Sequence, residues 1–132
     1  MTGRIFITIS ALLWGVGVPI LEVNDSHVFN QDWTPHSRIH QVWQLFTNTG
    51  FAGLVLWLVW VKQEVILPAI VGLLITGGFL MAFIIRGTYG GSMKYLDGSE
   101  KTVLGINIGL LGFGLVVVAL LTTILLEKRR SH

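Results

Sequence analysis

The polar side chains best suited to chemistry lie close together, in residues 22–40. An imidazole gains or loses a proton near neutral pH, so a histidine beside a carboxylate can move a proton to or from a substrate. His36 and His40 lie four positions apart in this stretch, and Asp25 and Asp32 precede them. We therefore predict that these four residues are catalytic and form histidine–aspartate pairs for proton transfer.

His36 and His40 also have the spacing of two metal ligands. Imidazoles four residues apart on a helix lie on one face, where both can bind one ion. Zinc or haem iron bound in this way needs further ligands. The same stretch offers four of them: Glu22, Asp25, His27 and Asp32. A metal or haem site at His36 and His40 is therefore a second interpretation, and the cofactor stays unknown.

A third interpretation gives these residues a structural role only. Asp and Ser side chains form local hydrogen bonds that stabilise turns, and Asp25 and Ser26 would do so here. Arg38 and Asp32 carry opposite charges and would form an ion pair. On this interpretation the stretch attaches a long loop to the helix ends and takes no part in a reaction.

The sequence after residue 33 is typical of a helix start. Thr34 is a favourable N-cap, and Pro35 suits the first helical position because its missing N–H needs no partner there. A helix from Pro35 to Val61 is about 40 Å long, whereas a hydrocarbon core is about 30 Å thick. Four polar side chains recur along it at every fourth position: His36, His40, Gln44 and Asn48. Because polar groups that face lipid are costly, we expect this row to face the bundle interior or a wet cavity.

Other polar residues are expected to converge on the same end of the molecule. Glu22 ends the first apolar stretch, Arg86 ends the third, and Asn107 lies about one turn into the fourth. Glu22 and Arg86 either snorkel to the membrane surface, pair with each other, or close a polar pocket that has His36 and His40 at its floor. We predict that this pocket binds its ligand through a further set of side chains: Glu22, His27, Trp33, Arg38, Gln44, Asn48 and Arg86.

The elements that position these residues follow from the composition. The chain has 132 residues, of which 52% are hydrophobic and 12% charged, and its mean hydropathy is +0.71. Four apolar stretches are long enough to cross a bilayer: residues 5–21, 40–61, 65–85 and 103–126. The predicted fold class is all-α, an integral membrane four-helix bundle that forms one domain over residues 1–132. The composition excludes a secreted domain, a nucleic-acid-binding module and a disordered chain, and the lack of cysteine excludes disulfides and thiolate sites.

Four spans place both termini on one side of the membrane. The basic cluster Lys128-Arg129-Arg130 directly follows the fourth span, so the positive-inside rule places both termini in the cytoplasm. The two long loops, residues 22–39 and 86–102, are then non-cytoplasmic. Gly105 and Gly109 have Gly-x-x-x-Gly spacing on the fourth helix, which predicts close approach of helix backbones within the bundle; a dimer interface along these two glycines is the alternative.

The first loop carries a pattern of its own. Asp25-Ser26-His27-Val28-Phe29-Asn30 is followed by Trp33, Pro35, His36, Arg38 and His40. Over about residues 24–44 the chain resembles an uncharacterised family of small four-span membrane proteins, which share Ser/Thr-His-x-Phe-Asn-x-x-Trp-x-Pro-His-x-Arg/Lys-x-His after the first span. It departs from that pattern at Gln31, Asp32 and Thr34. The resemblance implies a four-span layout but no reaction, and in layout alone the chain is similar to DoxX-like and emopamil-binding bundles.

Three functions stay open at this point. The first is a polar pocket at the non-cytoplasmic face that binds a small lipophilic molecule and acts on it by proton transfer. The second is a non-catalytic accessory subunit of a larger membrane complex or homo-oligomer, and the third is a histidine-based metal or haem site. All three place the chain in a bacterial inner membrane or a eukaryotic endomembrane, with the lipid bilayer as partner and without nucleic acid.

Overall fold

The computed structural model describes residues 1–95 and 97–130, and it is mainly helical. The described helices and strands are α1 (Thr2–Leu12), a π-helical turn (Leu13–Gly17), α2 (Val18–Glu22), α3 (Pro35–Trp60), α4 (Ile66–Ile84), a 3-10 turn (Arg86–Thr88), β1 (Thr102–Val103), β2 (Ile106–Asn107) and α5 (Ile108–Arg130). The predicted all-α class is thus correct except for one short antiparallel hairpin, in which Thr102 pairs with Asn107.

The first span is interrupted by its proline. Pro19 has no N–H, so the carbonyl oxygen of Gly15, four residues earlier, loses its α-helical donor. The helix widens here into the π turn Leu13–Gly17, and Thr49 Oγ1 of α3 donates to Gly15 O at 2.8 Å. A Cβ atom on Gly15 would lie only 2.1 Å from Ala52 Cβ. Glycine is therefore required where the first span crosses α3.

The fourth helix begins later than the apolar pattern predicts. Leu104 and Gly105 both have positive φ values, 52° and 75°, and form the two-residue turn between β1 and β2. Asn107 Oδ1 then accepts from the N–H groups of Gly109 and Leu110, at 2.9 and 3.3 Å, and so acts as a helix cap. α5 therefore starts at residue 108, and the apolar residues before it belong to the hairpin.

This turn also removes the helical spacing on which the predicted dimer interface was based, and oligomer formation stays a prediction. Gly105 lies in the turn and Gly109 in α5, so the two glycines do not share a helix face. A Cβ on Gly109 would lie 3.5 Å from Phe79 Cζ of α4, which means that Gly109 packs within its own chain. Gly72 is also an intramolecular contact, because a Cβ there would lie 2.8 Å from Leu120 Cδ1.

The core lies between α1 and the three long helices. α1 contacts α3, α4 and α5, while α4 lies beside both α3 and α5. Close packing of small and branched side chains holds such helices together where lipid removes the hydrophobic drive. The buried apolar residues are Ile7, Ala11, Trp14, Ala52, Val55, Val59, Ala69 and Leu120.

The start of α1 and the last third of α5 lie at the same end of the bundle. Arg4 donates to the side chain of Gln63, in the turn between α3 and α4. A Cβ on Gly3 would lie 2.7 Å from Thr123 Cγ2, in the last third of α5. In the described part of the chain, four helical segments are long and apolar enough to cross a membrane: Thr2–Glu22, Pro35–Trp60, Ile66–Ile84 and Ile108–Arg130. The side of the membrane on which the termini lie stays a prediction.

Candidate functional site

Residues 23–34 fold into a compact loop that two asparagine side chains hold together. Asn24 Oδ1 accepts from the N–H and the hydroxyl of Ser26, at 2.8 and 2.6 Å. Asn30 is buried; its Nδ2 donates to Ser26 O at 3.1 Å, and its Oδ1 accepts from Asp32 N at 2.9 Å. Side-chain oxygens thus satisfy backbone N–H groups that no helix or strand satisfies here. The local hydrogen bonds that the structural interpretation expects of Ser26 are therefore present.

His27 is the half-buried histidine of this loop. The Ser26 hydroxyl donates to Asn24, so the 2.7 Å contact between Ser26 Oγ and His27 Nδ1 assigns the proton to Nδ1 and leaves a lone pair on Nε2. The imidazole packs edge-on against Trp33, with ring centroids 5.8 Å apart. Partial burial lowers the pKa of His27 and so favours its neutral form.

The start of α3 is confirmed. Thr34 Oγ1 accepts from Ser37 N at 3.1 Å, and Pro35 is the first helical residue. The cap satisfies an N–H group that would otherwise have no partner in the first turn. Because it anchors this turn, it also sets where His36 and His40 stand relative to the loop.

His36 and His40 contact each other on the exposed side of α3. Their Nε2 atoms are 3.1 Å apart, and the rings meet at 75°. One imidazole must donate to the other, which two neutral rings can do and two imidazolium ions cannot. The His40 ring also lies beside Trp43, with 5.8 Å between centroids. Two nitrogen ligands of a tetrahedral zinc ion are about 3.3 Å apart, so the pair could supply two of four ligands.

The chain does not bring further metal ligands to this pair. Among residues 1–95 and 97–130, no three His, Cys, Asp or Glu side chains are grouped closely enough to hold an ion. The expected shell of Glu22, Asp25, His27 and Asp32 is therefore not assembled around His36 and His40. A metal or haem iron bound there would need its other ligands from outside the described residues.

The two aspartates also stay apart from the histidine pair. Asp25 and Asp32 are exposed, and neither carboxylate bonds to His36 or His40 within the described residues. Arg38 is half-buried and forms no ion pair with Asp32 in the same part of the chain. The predicted His–Asp pairs and the Arg38–Asp32 ion pair do not form, because the loop's own hydrogen bonds leave both carboxylates in solvent.

The polar row of α3 borders an open groove. Five residues line this cavity of about 330 Å³, which we call the α3 groove: His40, Trp43, Gln44, Thr47 and Asn48. The side chains of Gln44, Thr47 and Asn48 form no hydrogen bond within residues 1–95 and 97–130. Asn48 lies about 18 Å along the helix from Trp60, near the middle of a span of bilayer thickness. In a bilayer that this helix spanned, the unused donors and acceptors would lie where a lipid tail cannot bond to them.

The direction of this row corrects the expectation that it faces the bundle interior. His36, His40 and Gln44 are exposed, and only Asn48 is half-buried. Rows of every fourth residue slant around a helix, so the last member comes nearest to the packed face. That face is occupied instead by small and branched residues of α3: Ala52, Val55 and Val59. The row points away from the neighbouring helices because Gly15 fits closely against Ala52.

Glu22, Arg86 and Asn107 do not meet. Glu22 accepts a hydrogen bond from the Gln41 side chain, whereas Arg86 Nη1 donates to Phe83 O at 2.8 Å at the end of its own helix. Asn107 donates to Glu100 Oε1 at 3.1 Å in addition to capping α5. The expected Glu22–Arg86 pair is therefore replaced by a contact between helices for Glu22 and a contact within the end of α4 for Arg86.

Two polar contributors lie outside the predicted set. Thr47 lines the α3 groove, and Gln41 holds Glu22. Thr47 follows Gln44 by three positions, so a helical net drawn around Gln44 would have included it. No spacing in the sequence indicated the role of Gln41, because its partner Glu22 lies in a different helix and only the fold brings the two together.

A family model covers most of this architecture. The model of DUF6640, described as a family of unknown function, matches residues 6–84. The chain belongs to this family. The part that matches DUF6640 runs from within α1 to the last residue of α4, so it includes the loop and the α3 groove, while the hairpin and α5 lie beyond it. No curated protein and no solved structure matches the chain, so the likeness to DoxX-like and emopamil-binding bundles stays an analogy of layout.

Proposed function

We propose that this chain is a multi-pass membrane protein whose α3 groove binds a small lipophilic molecule with a hydrogen-bonding group. One observation carries the proposal: Gln44, Thr47 and Asn48 have unused donors and acceptors near the middle of a helix that is long and apolar enough to span a membrane. A polar group left against lipid is costly, so an occupant that bonds to these side chains is favoured there.

The groove is open along one side of α3. Its volume is about 330 Å³, and all five lining residues belong to this helix. Trp43 supplies an aromatic wall, and the amides of Gln44 and Asn48 both donate and accept. With the termini in the cytoplasm, the histidine end of the groove is at the non-cytoplasmic face. Proton transfer at this site would use the His36–His40 contact rather than an aspartate.

The protein should be extracted gently from its own membrane and weighed by native mass spectrometry. Wild type is expected to retain a non-protein mass that Gln44→Leu, Asn48→Leu and His40→Ala each lose. Phe46→Ala is the matched control, because Phe46 is 76% exposed on the same helix but does not line the groove. A wild-type chain that carries no added mass would overturn the proposal.

The outward direction of the polar row favours one second candidate, a non-catalytic accessory subunit. A polar helix from another protein would satisfy the same side chains as well as a ligand does. The mass spectrum separates the two functions, since the retained species would then be a polypeptide. Loss of that polypeptide in Gln44→Leu and Asn48→Leu, with retention in Phe46→Ala, would establish the accessory role.

A further inference from the structure

A second cavity lies at the end of α4, away from the α3 groove. Residues 86–93 fold back over the helix end: Gly91 N donates to Arg86 O at 2.8 Å, and the Tyr89 hydroxyl donates to Ala82 O at 2.8 Å. Beneath this fold is a cavity of about 160 Å³, which we call the Arg86 cavity. The lining residues that bear on its chemistry are Phe79, Phe83, Arg86, Tyr89, Ser92 and Met93.

The cavity contains one cationic side chain, Arg86, among aromatic and thioether side chains. The Arg86 guanidinium stacks over the Phe83 ring, 4.0 Å from its centroid. One of its N–H groups donates to Phe83 O. No carboxylate of the described residues pairs with it, so its other N–H groups remain available. Ser92 Oγ accepts from Lys94 N at 3.1 Å, and within residues 1–95 and 97–130 its own proton has no acceptor. A planar guanidinium that is held in place and unpaired suits two oxygens of a phosphate or carboxylate.

Position and size narrow the class of ligand. Arg86 follows directly after a membrane-spanning helix, at the level where phospholipid headgroups lie. The volume of about 160 Å³ is about half the usual minimum for a whole ligand, so it fits the polar end of a larger molecule. Just before Arg86, Met81 and Ile84 expose 57% and 70% of their surface, which gives acyl chains an apolar path along α4.

From this juxtaposition we propose that the Arg86 cavity binds the phosphate group of an anionic phospholipid. Arg86 donates to two phosphate oxygens in a fork, Ser92 donates a further hydrogen bond, and the acyl chains lie against α4. This lipid site shares no lining residue with the α3 groove. The lipid proposal can therefore be tested independently of the ligand proposed for that groove.

The test measures lipid retention by the full chain in nanodiscs of phosphatidylcholine with graded phosphatidylglycerol, read by native mass spectrometry. Arg86→Gln is expected to lower phosphatidylglycerol retention by about tenfold, and Arg86→Lys, which keeps the charge but loses the fork, by less. Lys94→Gln is the matched control, because Lys94 is an exposed cation of the same loop that does not line the cavity. Circular dichroism of each variant establishes that the helices are intact.

Three results would overturn the lipid assignment. Retention in Arg86→Gln equal to that of wild type would remove Arg86 from the site. An equal loss in Lys94→Gln would reduce the effect to nonspecific charge. Binding of inorganic phosphate that depends on Arg86, without any preference for phosphatidylglycerol, would show a free-anion site instead of a lipid site.

Discussion

On one face of α3, Thr49 donates to Gly15 O across the helix interface, and Ala52 fills the space that a Gly15 side chain would need. On the other face, Thr47 and its neighbours Gln44 and Asn48 border an open groove and bond to nothing within the described residues. Two threonines only two positions apart thus have opposite roles. One helix thus combines a face that packs within the bundle with a face whose polar groups form no bond within the described residues.

The largest loss of stability is expected when one carbon is added at the packed face of α3. Gly15→Ala places a Cβ where Ala52 Cβ already lies, 2.1 Å away, so the first span must move off α3. Overpacking of this kind costs about 1–3 kcal/mol or more of unfolding free energy. Gly53→Ala is the control, because a Cβ there meets no atom within 4 Å. Unfolding in detergent should separate the two variants, and equal stabilities would contradict the close approach.

A smaller effect is expected from the paired threonines. Thr49→Val removes the hydroxyl that serves Gly15 O, and interhelical bonds of this type contribute about 0.6–1.7 kcal/mol. Thr47→Val removes a hydroxyl with no partner in the described residues and should leave the unfolding free energy almost unchanged. If both variants lose the same stability, the two faces of α3 are not distinct in the way described.

Replacing the outward amides tests the open face directly. The double variant Gln44→Leu, Asn48→Leu loses no bond of the described residues and gains apolar surface, which a bilayer favours. We expect it to fold with unchanged or slightly higher stability in lipid while losing its ligand. A marked fall in the unfolding midpoint would mean that these amides support the bundle itself.

The smallest effect concerns pH and the loop before α3. Because partial burial lowers the pKa of folded His27 below its ordinary 6.5, the unfolded chain takes up this proton first as pH falls. Stability from neutral His27 is therefore present above about pH 6.5 and is lost as pH falls through the lower, folded pKa. His27→Gln should flatten this part of the profile. The difference between wild-type and variant melting midpoints from about pH 8 to pH 5 measures it, and a constant difference would contradict the assignment.

Much of the fold was predictable from local rules. Four apolar stretches identified the long helices, and the Thr34-Pro35 pair located the start of α3. The start of α5 was missed because hydropathy cannot distinguish an apolar hairpin from a helix. Leu104 and Gly105 adopt positive φ values that end the pattern, and Asn107 is a helix cap whose residue type could have indicated the true start.

The site was predictable in composition but not in direction. Helical spacing showed that His36, His40, Gln44 and Asn48 share a row, yet spacing does not tell which way a row points. The direction depends on the fit of Gly15 against Ala52, a contact between residues 37 positions apart in the chain. For the same reason, the partner of Glu22 proved to be Gln41 rather than Arg86.

The π turn Leu13–Gly17 changes the direction in which side chains of the first span point. A π turn holds one residue more than an α turn, and each helical residue advances the side-chain direction by about 100°. The extra residue therefore rotates α2 relative to α1, so that Glu22 meets Gln41 while Ile7 and Ala11 still face the core. A deletion of one residue within the turn would rotate Glu22 by about 100° away from α3. The π turn therefore lets the two halves of the first span direct their side chains differently: Ile7 and Ala11 to the core, and Glu22 to Gln41.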